Sequence, residues 1–215
     1  MLSQLISSFI TYFVVSTTVF QVGNHTQHVL SQHTFSLDNR YANKSVSDVF
    51  KDNILLTASY MNGITDTAKP IDWQKVDAPF HYTFTLDPHE TFAFHDGVLP
   101  QYTGKIVKTT NAHFDAQEGF KSDGYLVGDG VCHFASLINW TAKDAGLDVI
   151  APTNHDFANI PEVPKAYGVA IYSTPLDKQT SAAQNLYITN NKDKTIAFEF
   201  DYKNDKLAVS VVEEN

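Results

Sequence analysis

The first strong helical pattern begins at Asn43 and ends at Gly63. Apolar residues recur there every three or four positions, which predicts an amphipathic helix. Ser45 or Ser47 can cap its N-terminus, and Gly63 lies where a left-handed C-terminal cap is common. No residue of this helix suggests chemistry, so we expect it to cover the main sheet or to contact a partner.

A second helical pattern follows the segment GDGVCH, residues 128–133, and continues to Gly146. Two glycines free the backbone just before the only cysteine, so we expect a loop to place Cys132 in the first turn of this helix. Free N–H groups and the positive end of the helix dipole favour a thiolate there, which predicts a pKa below about 8.5. Cys132 is therefore a candidate nucleophile. The alternative is a small buried apolar side chain.

Alternating apolar and polar residues predict the strands. The alternation is strict over residues 80–86 and resumes at 91–94 after a turn. Further strands are predicted at 148–150, 168–172, 185–189, 195–200 and 207–212. The last three form an antiparallel meander in the simplest arrangement. Together with the helices, this predicts an α+β fold in which a mostly antiparallel sheet packs against the Cys132 helix and the N-terminal helix.

The N-terminal segments predict an appendage to one main domain. Residues 5–22 are largely apolar and uncharged, which favours a signal peptide or membrane anchor over residues 1–22. Residues 23–42 are polar and contain His25, His28 and His33, which indicates a flexible tether and leaves metal binding as an alternative. Residues 43–78 hold the first helix and a connector, and residues 79–215 form the main domain.

The long connection 96–123 is rich in Gly, Asn, Asp and Thr and leads into the cysteine segment. Connections of this length inside a compact domain are often functional. His113 lies within it, so we expect His113 to line the same cleft as Cys132.

Composition excludes several classes of function. The 215 residues carry 15 basic and 24 acidic side chains, a formal net charge of -9, so no basic face is expected for nucleic acid. The same balance argues against docking on anionic lipid, which leaves a membrane contact only through the N-terminal segment. One cysteine cannot form an internal disulfide. No phosphate loop, serine elbow or nucleotide fingerprint occurs, so we predict no cofactor.

Several separated motifs also occur in one order: GY at 124–125, GDGVC at 128–132, AGL at 145–147, NH at 154–155, YG at 167–168 and NLYITNN at 185–191. In this combination, over residues 84–212, the chain resembles the VanW family, which takes its name from an accessory gene of vancomycin-resistance clusters. That family usually has Gly-Gly-Gly-x-Cys-Gln where this chain has GDGVCH, and an Asp where it has Asn185, so the chain is similar to a divergent member. The resemblance implies a domain outside a bacterial membrane, near peptidoglycan, and a matching histidine at His155.

Cysteine-based acyl transfer needs a thiolate, an imidazole and often a group that orients the imidazole. Cys132 supplies the first, and His155, which follows the helix by a short connection, is the candidate for the second. Asn185, Asn154 and Asp156 are candidates for the third, and Asn185 ranks first because it opens a strand at the family's usual Asp position. These residues predict a thiol enzyme, and the resemblance to the VanW family implies amide bonds of peptidoglycan-related material as its substrate.

Two other interpretations of the same residues stay open. His133 is a rival base, but adjacent helical residues point about 100 degrees apart, so a wall of the cleft is the better assignment. Zinc bound by Cys132, His155 and either His113 or His133 is a further alternative. The candidates assigned to binding around the cysteine are Asp129, Gly130, His113, His133, Asn154 and Asp156.

A non-enzymatic protein is the competing class of function. The same groove would then bind glycan or peptide without catalysis, with the aromatic strand residues Tyr82, Phe84, Phe92 and Phe94 at its border. A structural scaffold for a partner protein is the third hypothesis.

Overall fold

The computed structural model describes residues 28–214. The predicted signal peptide or anchor, residues 1–22, lies outside this range. Within the described range, no helix combines the length and the apolar character that crossing a bilayer requires. The strands form two four-stranded sheets, so the α+β class is confirmed.

The first sheet has the strand order β1-β8-β7-β2 and is antiparallel throughout. Its strands are β1 (His28–Ser36), β2 (Phe80–Leu86), β7 (Ile196–Lys203) and β8 (Lys206–Glu213). Phe84 of β2 lies opposite Phe198 of β7, and their rings stack with centroids 5.1 Å apart. Phe84, Phe92 and Phe94 are buried in the core. They do not line the cavity described below, which corrects the expectation that they border a groove.

Strand β1 shows that the tether predicted over residues 23–42 is wrong for His28–Ser36. This segment pairs with β8 along its length, and Phe35 lies opposite Leu207 and is buried. The His33 ring stacks on Trp140, with centroids 3.5 Å apart. The alternation of apolar and polar residues is weak here because β1 is an edge strand whose side chains are mostly exposed or half-buried, so few of them are apolar.

Helix α1 (Lys44–Asn62) confirms the predicted N-terminal helix, although neither predicted serine caps it. The side chain of Asn43 accepts the N–H of Ser45 at 3.0 Å. Ser47 instead accepts the N–H of Arg40 at 3.1 Å, which secures the chain between β1 and α1. Gly63 ends the helix in the left-handed conformation, with φ 78°.

The second sheet has the strand order β4-β3-β6-β5 and mixed direction. Its three-residue strands are β3 (Thr91–Ala93), β4 (Ile106–Lys108), β5 (Asp148–Ile150) and β6 (Tyr187–Thr189). Strands β3 and β4 are parallel and the other pairs antiparallel. Because β6 belongs to this sheet and β7 to the first, the predicted three-stranded meander is wrong. Residues 168–172 do not form a strand either, since only Val169 makes an isolated bridge, to Asn154.

Helix α3 (Val131–Asp144) lies at the centre of the core. It contacts β1 and β8 of the first sheet, β5 of the second, and α1. Phe134, Leu137 and Ile138 of α3 are completely buried. The short helix α2 (Trp73–Val76) lies in the connector, and the short helix α4 (Lys178–Ala183) lies in the segment before β6. Because β1 and α1 pack against elements of the main domain, residues 28–78 share its core.

Candidate functional site

The glycine-containing loop that precedes α3 packs closely against α1. Gly130 has φ 97°, and a Cβ atom added there would lie 2.5 Å from the carbonyl oxygen of Phe50 and 2.9 Å from its Cα. The Asn53 amide donates to the carbonyl of Asp129 at 2.9 Å and to that of Lys121 at 3.0 Å. Helix α1 therefore fixes the loop that precedes Cys132, and only glycine fits the point of closest approach.

A cavity of about 640 Å³ opens where this loop meets the segments around residues 155 and 171. It brings together six of the nine residues predicted as site residues. They are His113, Asp129, Gly130, Cys132, His133 and His155.

The thiol of Cys132 is held by the backbone of Ile171. Sγ accepts the Ile171 N–H at 3.3 Å and contacts the Ile171 carbonyl at 3.7 Å. Burial raises the pKa of Cys132 from 9.0 to about 11, against the smaller lowering effect of the Ile171 N–H, and the charge of Asp129 raises it further. The prediction of a lowered pKa is therefore wrong, because desolvation of the thiolate outweighs the helix dipole.

His155 lies in the same cavity but is bonded elsewhere. Its Nδ1 donates to the carbonyl of Ala158 at 3.1 Å, and its ring lies 4.0 Å from that of Phe157. Burial lowers the pKa of His155, with a smaller opposing effect from the charge of Asp156. Among residues 28–214, the Cys132 thiol makes hydrogen bonds only to Ile171, so no thiol–imidazole pair is assembled.

Asn185 does not orient His155. Its Oδ1 accepts the N–H of His95 at 3.2 Å and that of Leu186 at 2.8 Å. Its Nδ2 donates to the carbonyls of His95 at 3.0 Å and Gly97 at 2.9 Å. The amide is fully used in stabilising the turn after β3, which corrects its assignment as the orienting group.

Asn154 and Asp156 flank His155 on the exposed surface and do not line the cavity. Asn154 forms the bridge to Val169. In the described part of the chain, no three His, Cys, Asp or Glu side chains are grouped so that they could hold a metal ion, so the zinc alternative has no assembled site there.

His113 forms a charged wall of the cavity. Its Nδ1 lies 2.9 Å from Oε1 of the buried Glu118, and its Nε2 lies 3.3 Å from Oδ1 of Asp96. Burial alone would lower the pKa of His113, but these two carboxylates raise it above its ordinary value. Glu118 also accepts the backbone N–H groups of His113 and Phe114. With both ring nitrogens engaged, His113 is a fixed side chain and not a free base.

Comparison with known proteins shows to which family the chain belongs. A family model described as VanW like protein matches residues 82–212, more than half of the chain. The chain belongs to this family. No curated protein and no solved structure matches it. The VanW-like match includes Cys132 and His155 but leaves out β1 and α1.

The VanW-like domain therefore supplies one part of the cavity, and the preceding residues supply the other. Arg40, Tyr41 and Phe50 line it from the β1–α1 side. Sequence reasoning missed them because the segment was interpreted as a tether and a covering helix. Phe50 belongs to the apolar face of the predicted helix, but only the fold shows that Tyr41 and Phe50 line the cavity.

Sequence reasoning also missed an apolar rim, defined here as Leu126, Phe157 and Tyr172. All three line the cavity of the VanW-like protein and are exposed, Leu126 by 68% and Phe157 by 77%. Each lies in a loop of irregular structure, where periodicity carries no information. The only local sequence signal for this rim was Leu126, an apolar residue just before the glycine-containing loop.

We expect Cys132 to react slowly at neutral pH. With the pKa raised from 9.0 to about 11, the thiolate fraction at pH 7.5 is roughly a hundredfold lower than for an ordinary thiol. Iodoacetamide labelling of the folded protein should accelerate about tenfold per pH unit up to pH 11. The urea-unfolded chain is the control, since Cys132 is its only thiol. Rapid labelling of folded protein below pH 8 would contradict the expected protonation.

Proposed function

We propose that this VanW-like protein binds a peptidoglycan-related peptide or glycan in the cavity without covalent catalysis. The observation that carries the proposal is the contrast between an accessible cavity of about 640 Å³ and a thiol that is protonated and bonded to Ile171. An acyl-transfer enzyme needs an ionised or ionisable nucleophile beside its base. A binding site needs only a concave surface with suitable chemistry.

The apolar rim supports ligand binding. Single exposed apolar residues are normal on protein surfaces, but several around one cavity mark a site of interaction. Phe157 and Tyr172 offer aromatic faces, and aromatic rings pack well against the apolar faces of sugars and against peptide side chains. The rim therefore suits the mixed chemistry of a glycopeptide.

The cell envelope is the compartment that we propose for this function. Residues 5–22 form an apolar and uncharged stretch, as expected for an export signal or an anchor. The excess of acidic side chains argues against docking on anionic lipid.

A thiol enzyme is the second candidate function, favoured by the presence of Cys132 and His155 in one cavity. It requires Sγ to leave Ile171 and to transfer its proton to His155. Cys132→Ser separates the two functions, because a binding protein keeps its affinity and its biological activity with serine, whereas a thiol enzyme loses turnover.

The binding proposal predicts that Leu126→Ala weakens the interaction with peptidoglycan. Loss of one apolar contact side chain costs about 1–2 kcal/mol, or roughly tenfold in affinity. Co-sedimentation with purified sacculi and calorimetry with soluble muropeptides measure the effect. Leu176→Ala is the matched control, because Leu176 is 95% exposed and does not line the cavity.

Equal binding by the two leucine variants would place the interaction outside the cavity. Failure of the wild type to bind either sacculi or muropeptides would reject the proposed ligand class.

A further inference from the structure

Three carboxylates line the cavity without a cationic partner among residues 28–214. They belong to Asp115, Asp123 and Asp129. One oxygen of each is held by the backbone: Asp115 accepts the N–H of Gln117 at 2.8 Å, Asp123 that of Tyr125 at 3.0 Å, and Asp129 that of Asp123 at 3.2 Å. Because an ionised carboxylate accepts through both oxygens, the second oxygen of each is available to a ligand.

The cationic side chains that line the same cavity are paired elsewhere. Nη2 of Arg40 lies 2.7 Å from Oε2 of Glu162. The two ring nitrogens of His113 lie 2.9 Å from Glu118 and 3.3 Å from Asp96. None of these three carboxylates lines the cavity. The cavity therefore keeps an excess of negative charge on its wall.

Asp129 carries part of this charge in a half-buried position. Burial raises the pKa of Asp129, the N–H of Asp123 opposes this effect, and the charge of the Asp123 carboxylate adds to it. A cation near two neighbouring carboxylates favours the charged form of both. No three His, Cys, Asp or Glu side chains in the described part of the chain are grouped to hold a metal ion, so an organic cation suits this wall better than a metal.

His155 gives an independent indication of a ligand that donates hydrogen bonds. Its Nδ1–H donates to the carbonyl of Ala158 at 3.1 Å, which places the single proton of the neutral ring on Nδ1. Burial lowers the pKa of His155 and so favours this neutral form. Nε2 then carries a lone pair and acts only as a hydrogen-bond acceptor.

Nε2 of His155 is accessible although the residue is only 5% exposed. It has no hydrogen-bond partner within residues 28–214, yet it is not one of the unpartnered polar atoms there that are closed to solvent. His155 lines the cavity and also a pocket of about 200 Å³, which share Ala158 and Asn159 as lining residues. The open space around Nε2 is therefore this cavity with its adjoining pocket.

From these features we infer that the cavity selects a ligand with a primary ammonium group, whose charge the three carboxylates complement, and with a hydrogen-bond donor for Nε2 of His155. The inference rests on the proposed binding function and names the chemistry that the cavity recognises. The two contacts do not have to involve the same ligand atom. An ammonium group has three donors and no acceptor, and the aromatic faces of Phe157 and Tyr172 on the rim also attract cations. Peptide side chains carry such groups, whereas N-acetylated sugars do not, so the ligand is a peptide or a glycopeptide.

The test compares two forms of one probe at pH 7.5: a soluble muropeptide with one free side-chain amine, and the same muropeptide after acetylation of that amine. Acetylation keeps an N–H but removes the charge. By calorimetry, the wild type should bind the free amine at least about tenfold more tightly, as expected for hydrogen bonds to a charged group. Asp129→Asn and Asp123→Asn should each reduce this preference. Asp193→Asn is the matched control, because it removes an exposed charge that does not line the cavity.

The ¹⁵N chemical shifts of the His155 ring give a second readout that needs no variant. In the free protein Nδ1 should be protonated and Nε2 unprotonated, and the Nε2 signal should move when the muropeptide is added. A proton on Nε2 would overturn its role as an acceptor.

The affinities separate failure of this inference from failure of the proposed function. Equal affinity for the two muropeptides would overturn the selection of an ammonium group and leave the proposed binding function intact. The same conclusion would follow if the preference for the free amine were unchanged in folded Asp123→Asn and Asp129→Asn variants. Binding of neither muropeptide, with no binding of sacculi, would overturn both.

Discussion

Replacing Gly130 with alanine should destabilise the protein by about 2–5 kcal/mol. A residue other than glycine in the left-handed region costs about 1–2 kcal/mol, and overpacking against a fixed backbone adds about 1–3 kcal/mol. Gly130 has both problems, because its φ is 97° and an added Cβ would overlap the Phe50 backbone. The free energy of unfolding in urea measures the effect.

Gly124→Ala is the matched control for Gly130→Ala. Gly124 has φ 112°, and nothing lies within 4 Å of an added Cβ, so only the conformational cost applies. The difference between the two variants therefore reports the closeness of α1 to the α3 loop. If both variants lost the same stability, Phe50 would have to be farther from Gly130 than it is in this structure.

Acidification should unfold the protein partly through His133. Because the pKa of His133 is about 3 when folded and about 6.5 in an unfolded chain, the unfolded state binds the proton first. The stabilisation is complete above pH 6.5 and is lost as the pH falls from 6.5 toward 3. The total is about 3–5 kcal/mol, which urea unfolding measured at successive pH values would show.

His133→Gln isolates this contribution, since Gln has no proton to bind in this range and is the residue usual in the VanW family at this position. Burial also lowers the pKa of His95 and of His155, so the wild type alone cannot assign the effect. The difference in free energy of unfolding, wild type minus variant, should decrease as the pH is lowered from 6.5 to 3. A constant difference across that range would show that the pKa of His133 is the same in the folded and unfolded states.

The elements that sequence predicted correctly are those whose pattern is local. The α1 helix has an apolar face over five turns, and β2 alternates strictly, so neither depends on a distant segment to be recognised. Strand β1 is the opposite case. Its partner β8 lies about 170 residues later, and the polar residues of β1 are ordered by that pairing and by contacts with α3 such as the stacking of His33 on Trp140.

The sequence predicted which residues share the site better than it predicted their chemistry. The glycine loop, Cys132 and His155 were found from local sequence and family resemblance, and they share one cavity. The pKa of Cys132 was predicted wrongly because the helix dipole is a local property, whereas desolvation depends on residues such as Ile171 that arrive through the fold. Asn185 was misassigned for a related reason, since β6 directs its amide to the turn after β3.

The two sides of the cavity stand in different relations to the family. Cys132, His133 and His155 lie within the residues that match the VanW-like model, while Arg40 and Phe50 precede them. A relative that shares only the matched residues can have an unrelated segment in place of β1 and α1. Such a relative would keep the thiol-bearing wall of the cavity and replace the wall that Arg40 and Phe50 form here.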